Sequence, residues 1–358
     1  MATRPSLLEL SPADLRGWFA ARGLPGYRAD QVRRWALVRR AAAFDEMSDL
    51  PKVLRADLAA AWTLFAARAA DHRRAADGSE KLLLELADGQ RIECVLLRDD
   101  KGHCTVCLST QVGCGMGCAF CASGIEGVAR NLSRGEIIEQ MLHLQRLLGP
   151  PTGGERLSHV VVMGMGEPLA NLDNLLPALD VAVADLAISV RRITISTVGL
   201  PRGIRRLADM NCQYHLAVSL HAPDDTLRNQ LVPANRAIGI AAVLAAADYY
   251  FEQTGRRVTY EYVLIGGVND QPDHARRLSA LLRGRPSLVN LIPLNPTPEL
   301  PFRPPAPAAV GDFAERLRQG GLNVEVRRRK GDEIAAACGQ LRRGGGTGAK
   351  TTHQDTLP

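Results

Sequence analysis

The sequence predicts an α/β barrel, complete or partial, that follows a helical N-terminal region and a β-hairpin. From about residue 104 onward, seven short β-rich runs alternate with helical stretches, which is typical of parallel strands joined by helical crossovers. Before that point, residues 6 to about 65 have helical patterns and residues 81–97 have the pattern of two paired strands. With 358 residues and 46% apolar content, the chain can form one large core with a small appendage.

The N-terminal helices are predicted from their capping residues. Ser11 or Asp14 can cap a helix at residues 15–22. Asp30 can cap a second helix at residues 32–38. No internal repeat of fixed length is present in the sequence.

The hairpin is predicted from a change of period. Residues 81–86 and 91–97 read as strands, with the turn dipeptide Asp88-Gly89 between them. The final residues, GGGTGAKTTHQDTLP, have the composition of a disordered tail. The predicted domains are therefore an N-terminal helical domain (1–70), a β-hairpin connector (71–100), a barrel core (101–343) and a disordered tail (344–358).

Each predicted barrel strand is short. The strands are expected at residues 105–109, 159–163, 192–196, 215–220, 258–264, 288–292 and 323–326. Residues 133–148 and 240–251 are predicted crossover helices, and Ser133 with Glu136 forms a capping-box pattern at the first of them. Because functional groups in α/β barrels gather at the carboxyl ends of the strands, we expect the site there.

Composition narrows the function class. Eight cysteines are too few for a disulfide-built scaffold, and five of them lie between Cys104 and Cys121. This clustering favours metal or redox chemistry in a reducing compartment.

No signal peptide and no run of about 18 apolar residues is found, so we expect a cytoplasmic protein with no membrane contact. The net charge of +6 is compatible with a polyanionic partner.

The main functional motif is C-x3-C-x2-C, formed by Cys114, Cys118 and Cys121. Three thiolates are one short of filling a four-iron cluster, so one iron could bind the amino and carboxylate groups of S-adenosylmethionine. The alternative is a zinc site with Cys107 or Cys104 as the fourth ligand. Structural zinc usually shows paired C-x2-C elements, and only one such pair is present here.

This motif at the first strand of a barrel resembles that of the radical SAM enzymes. A longer match resembles the bacterial adenine-methylating RNA enzymes of the RlmN/Cfr group, and it extends from the N-terminal helices to Leu341. It rests on five segments in order: CLSTQVGCGMGCAFCASG, GMGEPLAN, SLHAP, NLIPLNP and GDEIAAACGQL. The resemblance is greater to the C2 methyltransferases than to the C8 resistance enzymes. It implies a partial (β/α)6-type radical SAM barrel, a [4Fe–4S] cluster on the three cysteines and two S-adenosylmethionine molecules per turnover.

The resemblance also implies a set of cofactor contacts at the strand ends. These are Gly166, Glu167, Ser196, Ser219, Leu220, His221 and Asn295. Without the resemblance, Ser196 and Ser219 could simply cap strand ends. His221 could equally be a structural histidine with satisfied hydrogen bonds.

Three catalytic residues are implied in the same way. Cys338 would be methylated and carry a methylene radical, Cys107 would resolve the intermediate as a disulfide, and Glu93 would accept a proton. By themselves, these residues would be interpreted as a packing cysteine in an alanine-rich helical stretch, a strand cysteine and a solvent-facing strand glutamate. The three remaining cysteines, Cys94, Cys104 and Cys212, are interpreted as packing residues.

The expected partner is RNA. The run Arg327–Lys330 (RRRK) can contact phosphates, although such runs are more often solvated faces. The implied function is C2 methylation of adenine in 23S rRNA, with tRNA as a second candidate substrate. Flavodoxin or ferredoxin would donate electrons, and we expect a monomer. The alternatives are a C8-adenine methyltransferase and a zinc-stabilised RNA-binding protein without catalysis.

Overall fold

A computed structural model of the chain describes residues 4–150, 154–327 and 330–342. The predicted disorder of residues 344–358 falls on residues outside this part of the chain. No helix among the described residues is long and apolar enough to cross a membrane.

The fold is built on one ten-stranded mixed sheet with helices packed against it. The strands are β1 (Arg68–Arg74), β2 (Glu80–Glu85), β3 (Arg91–Arg98), β4 (Cys104–Cys107), β5 (Gln111–Gly113), β6 (Val128–Asn131), β7 (Leu157–Val162), β8 (Ile193–Thr197), β9 (His215–Ser219), β10 (Val258–Leu264), β11 (Ser287–Pro293) and β12 (Asn323–Val326). The helices are α1 (Pro12–Ala20), α2 (Tyr27–Arg33), α3 (Lys52–Ala61), α4 (Arg134–Arg146), α5 (Leu172–Ala184), α6 (Pro201–Asp209), α7 (Asp225–Leu231), α8 (Ile240–Thr254), α9 (Pro272–Leu282) and α10 (Pro307–Gln319).

The sheet confirms the predicted barrel class. Its strand order is β1-β2-β3-β4-β7-β8-β9-β10-β11-β12, and all neighbours from β4 to β12 are parallel. The barrel is partial, because the edge strands β1 and β12 do not pair with each other in the described chain. The two remaining strands, β5 and β6, form a separate antiparallel ribbon.

The hairpin prediction is confirmed, and the hairpin continues the barrel sheet. β2 and β3 are antiparallel, and β3 pairs with β4. The additional strand β1 was not predicted, because its sequence RAADHRR is mostly charged and resembles a loop. Because β1 to β3 share the sheet with the barrel, the predicted domain division at residues 70, 100 and 343 stays a prediction.

The helix caps were predicted with mixed success. The Ser11 hydroxyl accepts the N–H of Asp14 at 3.1 Å, and Ser133 accepts that of Glu136 at 3.2 Å, so both caps are confirmed. The prediction for Asp30 was wrong. α2 already begins at Tyr27 after Gly26, and Asp30 lies inside it, paired with Arg16 at 2.9 Å.

The end of the described chain differs from the prediction. Residues 333–341 were expected to be helical, but only a 3-10 turn at Asp332–Ile334 is formed. Ala335 has φ 50° and Gly339 has φ 85°, and an α-helix cannot continue through left-handed residues. We call residues 330–342 the C-terminal segment.

Candidate active site

A cavity of about 900 Å³ opens at the carboxyl ends of β7 to β11. We call it the central cavity. Its walls are formed by Cys114, Cys118 and Cys121, by residues at the strand ends, and by Cys338 from the C-terminal segment. This is the end of the barrel at which the sequence pattern predicted a functional site.

The three motif cysteines lie on a tight loop, residues 114–121, which we call the cysteine loop. It follows β5 and leads into a 3-10 turn at Ala122–Gly124. Gly117 has φ 64°, and a Cβ atom at Gly124 would lie 3.4 Å from the Gly117 Cα atom. Glycine therefore lets the loop fold back closely on itself and bring its thiols to one wall of the cavity.

The environment of these thiols suits binding of a metal cluster. Burial raises the pKa of the Cys114 thiol to about 11 and also raises those of Cys118 and Cys121. A thiolate at any of these positions therefore needs a positive partner. No three His, Cys, Asp or Glu side chains in the described chain are gathered around a point that one metal ion could occupy. A four-iron cluster, in contrast, takes one thiolate at each of several irons.

Six of the seven residues predicted to contact the cofactor line the central cavity. They are Gly166, Glu167, Ser196, Ser219, His221 and Asn295. Leu220 does not line it: this side chain is fully buried in the core, and its carbonyl accepts a hydrogen bond from Arg228 Nε at 3.0 Å. The structure thus brings the strand-end residues together, while their individual roles stay predictions.

Gly166 and Glu167 form a rigid corner of the cavity. Gly166 has φ 101°, and a Cβ atom there would lie 2.6 Å from Gln111 Cβ, so only glycine fits. The buried Glu167 carboxylate accepts the N–H groups of Leu169 at 3.0 Å and Val198 at 2.9 Å. Burial raises the pKa of Glu167. Its carboxylate therefore links the end of β7 to the end of β8.

His221 combines a structural role with a position in the cavity wall. Its Nδ1 accepts the N–H of Val263 at 3.0 Å, and its ring meets that of Phe120 edge-on with centroids 4.8 Å apart. Burial lowers the pKa of His221 to about 3, so the ring is neutral. The interpretation as a structural histidine therefore describes its bonding, although the side chain still faces the cavity.

Cys338 reaches the central cavity because the C-terminal segment is attached to the barrel beside the cysteine loop. Asn295 Nδ2 donates to the Cys338 carbonyl at 3.1 Å. Ala122 N–H donates to the Gly339 carbonyl at 2.8 Å, and the Ser123 hydroxyl donates to the Leu341 carbonyl at 2.6 Å. These bonds place Cys338 beside the turn that follows Cys121.

Cys338 also lines a second cavity, of about 930 Å³, which we call the side cavity. Cys107, at the end of β4, lies in its wall. Burial raises the pKa of Cys107 to about 12, and the neighbouring Cys338 adds to this rise. Both thiols are free in the structure. Of the eight cysteines, Cys338 alone lines both cavities, with the cluster ligands on one side and Cys107 on the other.

Glu93 is buried, contrary to its interpretation as a solvent-facing strand residue. Its Oε1 lies 2.8 Å from the Lys81 ammonium, and its Oε2 accepts the Arg342 N–H at 2.9 Å. Burial lowers the pKa of Lys81, and the charge of Glu93 opposes that fall. Glu93 lines neither cavity in this structure, so its contact with a substrate stays a prediction.

Comparison with known families matches both parts of the chain. Residues 108–278 match the radical SAM superfamily, and residues 6–64 match the ribosomal RNA large subunit methyltransferase N-terminal domain. The probable dual-specificity RNA methyltransferase RlmN of Rhodopirellula baltica is 56% identical over 342 residues, which cover 95% of this chain and 91% of that protein. The chain belongs to the RlmN family of radical SAM RNA methyltransferases.

Other members agree with this assignment. The protein of the same name from Symbiobacterium thermophilum is 47% identical over 343 residues, covering 95% of this chain and 91% of that protein. The crystal structure of a radical SAM methyltransferase from Sphaerobacter thermophilus superposes with a TM-score of 0.91 at 44% identity, covering 95% of this chain and 99% of that one. Radical SAM enzymes use a [4Fe–4S] cluster and S-adenosylmethionine, and so does this RlmN-family chain. The cysteine loop would hold the cluster.

The structure places one residue of the basic run in the site. Arg327, which was expected to contact RNA phosphates beside Cys338, lines both cavities, and its contact with RNA stays a prediction. The neighbouring Cys338 raises the pKa of Arg327. In the same run, Lys330 donates to the Arg98 carbonyl, while Arg328 and Arg329 lie outside the described residues. The described part of this run is therefore directed into the protein.

Two buried charged residues of the site were missed. Glu261 on β10 lines the central cavity and accepts Asn290 Nδ2 at 2.8 Å, and burial raises its pKa to about 7. Arg228 on α7 donates to the carbonyls of Leu220 and Ser219, both at 3.0 Å, which fixes the end of β9. Neither position stands out in the sequence, because a single charged residue in a strand or helix carries no sign of burial.

Proposed function

We propose that this chain methylates C2 of adenine in RNA through an S-methyl group on Cys338 and a Cys107–Cys338 disulfide. The position of Cys338 carries the proposal. It is the one thiol shared by the cavity that suits the cofactors and the cavity that contains Cys107. A residue that must react first with the cofactor and then with a second cysteine needs this location.

Cys338 is methylated first, since a cysteine sulfur is a good nucleophile for the methyl group of S-adenosylmethionine. C2 of adenine is electron-poor and cannot displace that methyl group itself. Cys114, Cys118 and Cys121 would hold the cluster, which would supply the one-electron chemistry that makes a 5′-deoxyadenosyl radical from a second S-adenosylmethionine. The methyl group on Cys338 loses a hydrogen atom to this radical, and the resulting methylene radical on Cys338 adds to C2.

Glu93 then accepts the C2 proton, and one electron returns to the cofactor site. Cys107 attacks the Cys338 sulfur and breaks the bond from that sulfur to the methylene carbon. That carbon takes up one proton, equal to the one lost by the Cys107 thiol, and methyladenine is released. The enzyme is left with a Cys107–Cys338 disulfide, which a reductant must open before the next turnover. Because Cys107 is a buried thiol with a raised pKa, it must lose its proton as it attacks.

The substrates we propose are 23S rRNA and tRNA. Two findings support them: the match to a ribosomal RNA large subunit methyltransferase domain, and relatives named dual-specificity RNA methyltransferases. The target adenine would lie in a loop or single strand, because a paired base cannot reach a cavity at the strand ends. We further propose a cytoplasmic monomer that is reduced by a flavodoxin or ferredoxin.

The test is product analysis. The reduced, cluster-loaded enzyme is incubated with S-adenosylmethionine and either 23S rRNA or tRNA, and the RNA is digested for mass spectrometry. We expect 2-methyladenosine. Finding 8-methyladenosine alone, or no methylated adenosine, would contradict the proposal.

A cysteine variant tests the second half of the mechanism. Cys107→Ala should still methylate Cys338, but it should leave RNA covalently attached to the protein, because the resolving thiol is absent. The matched control is Cys212→Ala, since Cys212 lines neither cavity. It should turn over normally and leave no adduct.

A further inference from the structure

The buried ion pair between Lys81 and Glu93 is an unusual feature of the sheet. Lys81 is on β2 and Glu93 on β3, and their side chains are only 3% and 1% exposed. Removing two charges from water costs about as much free energy as their attraction returns, so a buried pair is a weak source of stability. Its presence beneath the C-terminal segment therefore suggests another role.

The same two side chains hold the C-terminal segment on both sides of Cys338. Lys81 Nζ donates to the Ala335 carbonyl at 2.9 Å, three residues before Cys338. Glu93 Oε2 accepts the Arg342 N–H at 2.9 Å, four residues after Cys338. The ion pair thus bridges the two ends of the stretch that carries the reactive cysteine.

The segment has little regular structure of its own to fix its position. Its only helical element is the 3-10 turn at Asp332–Ile334. Gly331 N–H donates to Asp77 Oδ2 at 2.8 Å, and Glu333 Oε2 accepts the Ala76 N–H at 3.0 Å, but these bonds precede the Cys338 stretch. Within residues 335–342, Asn295, Ala122 and Ser123 bind the carbonyls of Cys338, Gly339 and Leu341. The Lys81–Glu93 pair adds the bonds at the two ends of this stretch, at Ala335 and Arg342.

We propose that the Lys81–Glu93 pair is a latch for the C-terminal segment and that transfer of the C2 proton to Glu93 opens it. This rests on the proposed function, in which Glu93 is the proton acceptor. A neutral carboxyl group attracts neither the Lys81 ammonium nor the Arg342 N–H as strongly as a carboxylate does. Lys81 is the positioning residue: it holds the segment while Glu93 is ionised.

The latch orders the reaction. While Glu93 is a carboxylate, Cys338 is held where the central and side cavities meet. After Glu93 has taken the proton from the RNA adduct, the ends of the stretch are held less firmly and Cys338 can turn toward Cys107. Disulfide formation thus follows loss of the C2 proton, which keeps Cys107 from attacking the Cys338 sulfur while the RNA adduct still carries that proton.

Hydrogen exchange of the RNA-free, cluster-loaded protein tests the latch directly. Glu93→Gln imitates the protonated carboxyl group at nearly constant size, and Lys81→Met removes the cation. Both should accelerate amide exchange in residues 334–342 by about tenfold, the effect of losing one charged hydrogen bond. The matched control is Glu85→Gln on β2, whose ion pairs with Arg68 and Arg91 do not touch the segment.

Unchanged exchange in residues 334–342 of Glu93→Gln, with iron content and protection of β10 and β11 intact, would overturn the latch. Equal acceleration in Glu85→Gln would overturn it as well. Because no RNA is present, this result is independent of the product assay. Absence of 2-methyladenosine in the wild type would instead refute the proposed function.

Discussion

The cysteine loop and the C-terminal segment both supply cysteines to the central cavity, but they are held in different ways. The loop is held mainly by neighbours in sequence: Cys121 N–H donates to the Cys118 carbonyl at 3.1 Å and Cys114 N–H to the Gly127 carbonyl at 3.0 Å. One bond, from Ala119 N–H to the Leu231 carbonyl at 2.9 Å, reaches a distant residue. The C-terminal segment is held by residues far away in sequence, such as Glu93, which is 249 residues from Arg342. A locally built site can be recognised as a motif, whereas a site built at long range cannot.

The largest effect is expected from a substitution in the cysteine loop. Cys118→Ala removes one of three cluster ligands, so iron and sulfide should fall from about four of each per chain to below one. RNA methylation should be lost with them. Metal analysis and visible absorption of anaerobically purified protein measure this. A variant that keeps the wild-type iron content would contradict the assignment of the cysteine loop.

The second-largest effect is expected on catalysis, from a change at Glu93, which contacts the C-terminal segment. Glu93→Gln should lower the rate of RNA methylation by about 10²- to 10⁴-fold, the usual contribution of a proton acceptor. Methylation of Cys338 should continue, because that step needs no base at C2. Mass spectrometry of the protein and of the digested RNA measures the two steps separately. Equal loss of both steps would argue against Glu93 as the proton acceptor.

The third effect is on stability. Lys81→Met leaves a buried, uncompensated carboxylate and should lower the free energy of unfolding by about 3–5 kcal/mol. Lys81→Met combined with Glu93→Gln removes both charges and should be more stable than Lys81→Met alone. Denaturant unfolding of the cluster-loaded variants gives these values. If the two changes are simply additive, the Lys81 and Glu93 side chains do not interact.

The smallest effect is expected at the start of the C-terminal segment. Asp77→Ala removes the acceptor of the Gly331 N–H and should cost about 0.5–1.5 kcal/mol of local stability. Amide exchange at residues 331–333 should rise several-fold, while RNA methylation stays within about twofold of wild type. A strong loss of methylation would mean that the β1–β2 turn, and not the Lys81–Glu93 pair, positions Cys338.

The same contrast explains which sequence predictions succeeded. The cap at Ser11, the capping box at Ser133, the hairpin turn at Asp88-Gly89 and the alternation of strands and helices are all confirmed. Each depends on contacts within a few residues or within one crossover unit. The prediction that Asp30 caps a helix was wrong because α2 begins at Tyr27, after Gly26, and Asp30 therefore lies inside the helix.

The predictions that failed concern burial and long-range packing. Glu93 has the sequence context of a solvent-facing strand residue, and only the Lys81 ammonium and the covering C-terminal segment make it a buried carboxylate. Cys338 was expected on a helix, but bonds from Asn295, Ala122 and Ser123 hold its segment in an irregular path. Local patterns contain no information about distant partners, such as Ser123 and Leu341, which are 218 residues apart in the sequence.

The sequence by itself determined the barrel class, the three cysteines of the loop and the family resemblance, because period, spacing and short motifs are local properties. Only the tertiary structure decided that Cys338 lies between Cys107 and the cysteine loop and that Lys81 is the partner of Glu93. It also placed Arg327 inside the site. The physical reason is that these positions depend on burial and hydrogen bonding between distant parts of the chain, which form only when the C-terminal segment packs across β2, β3 and the barrel.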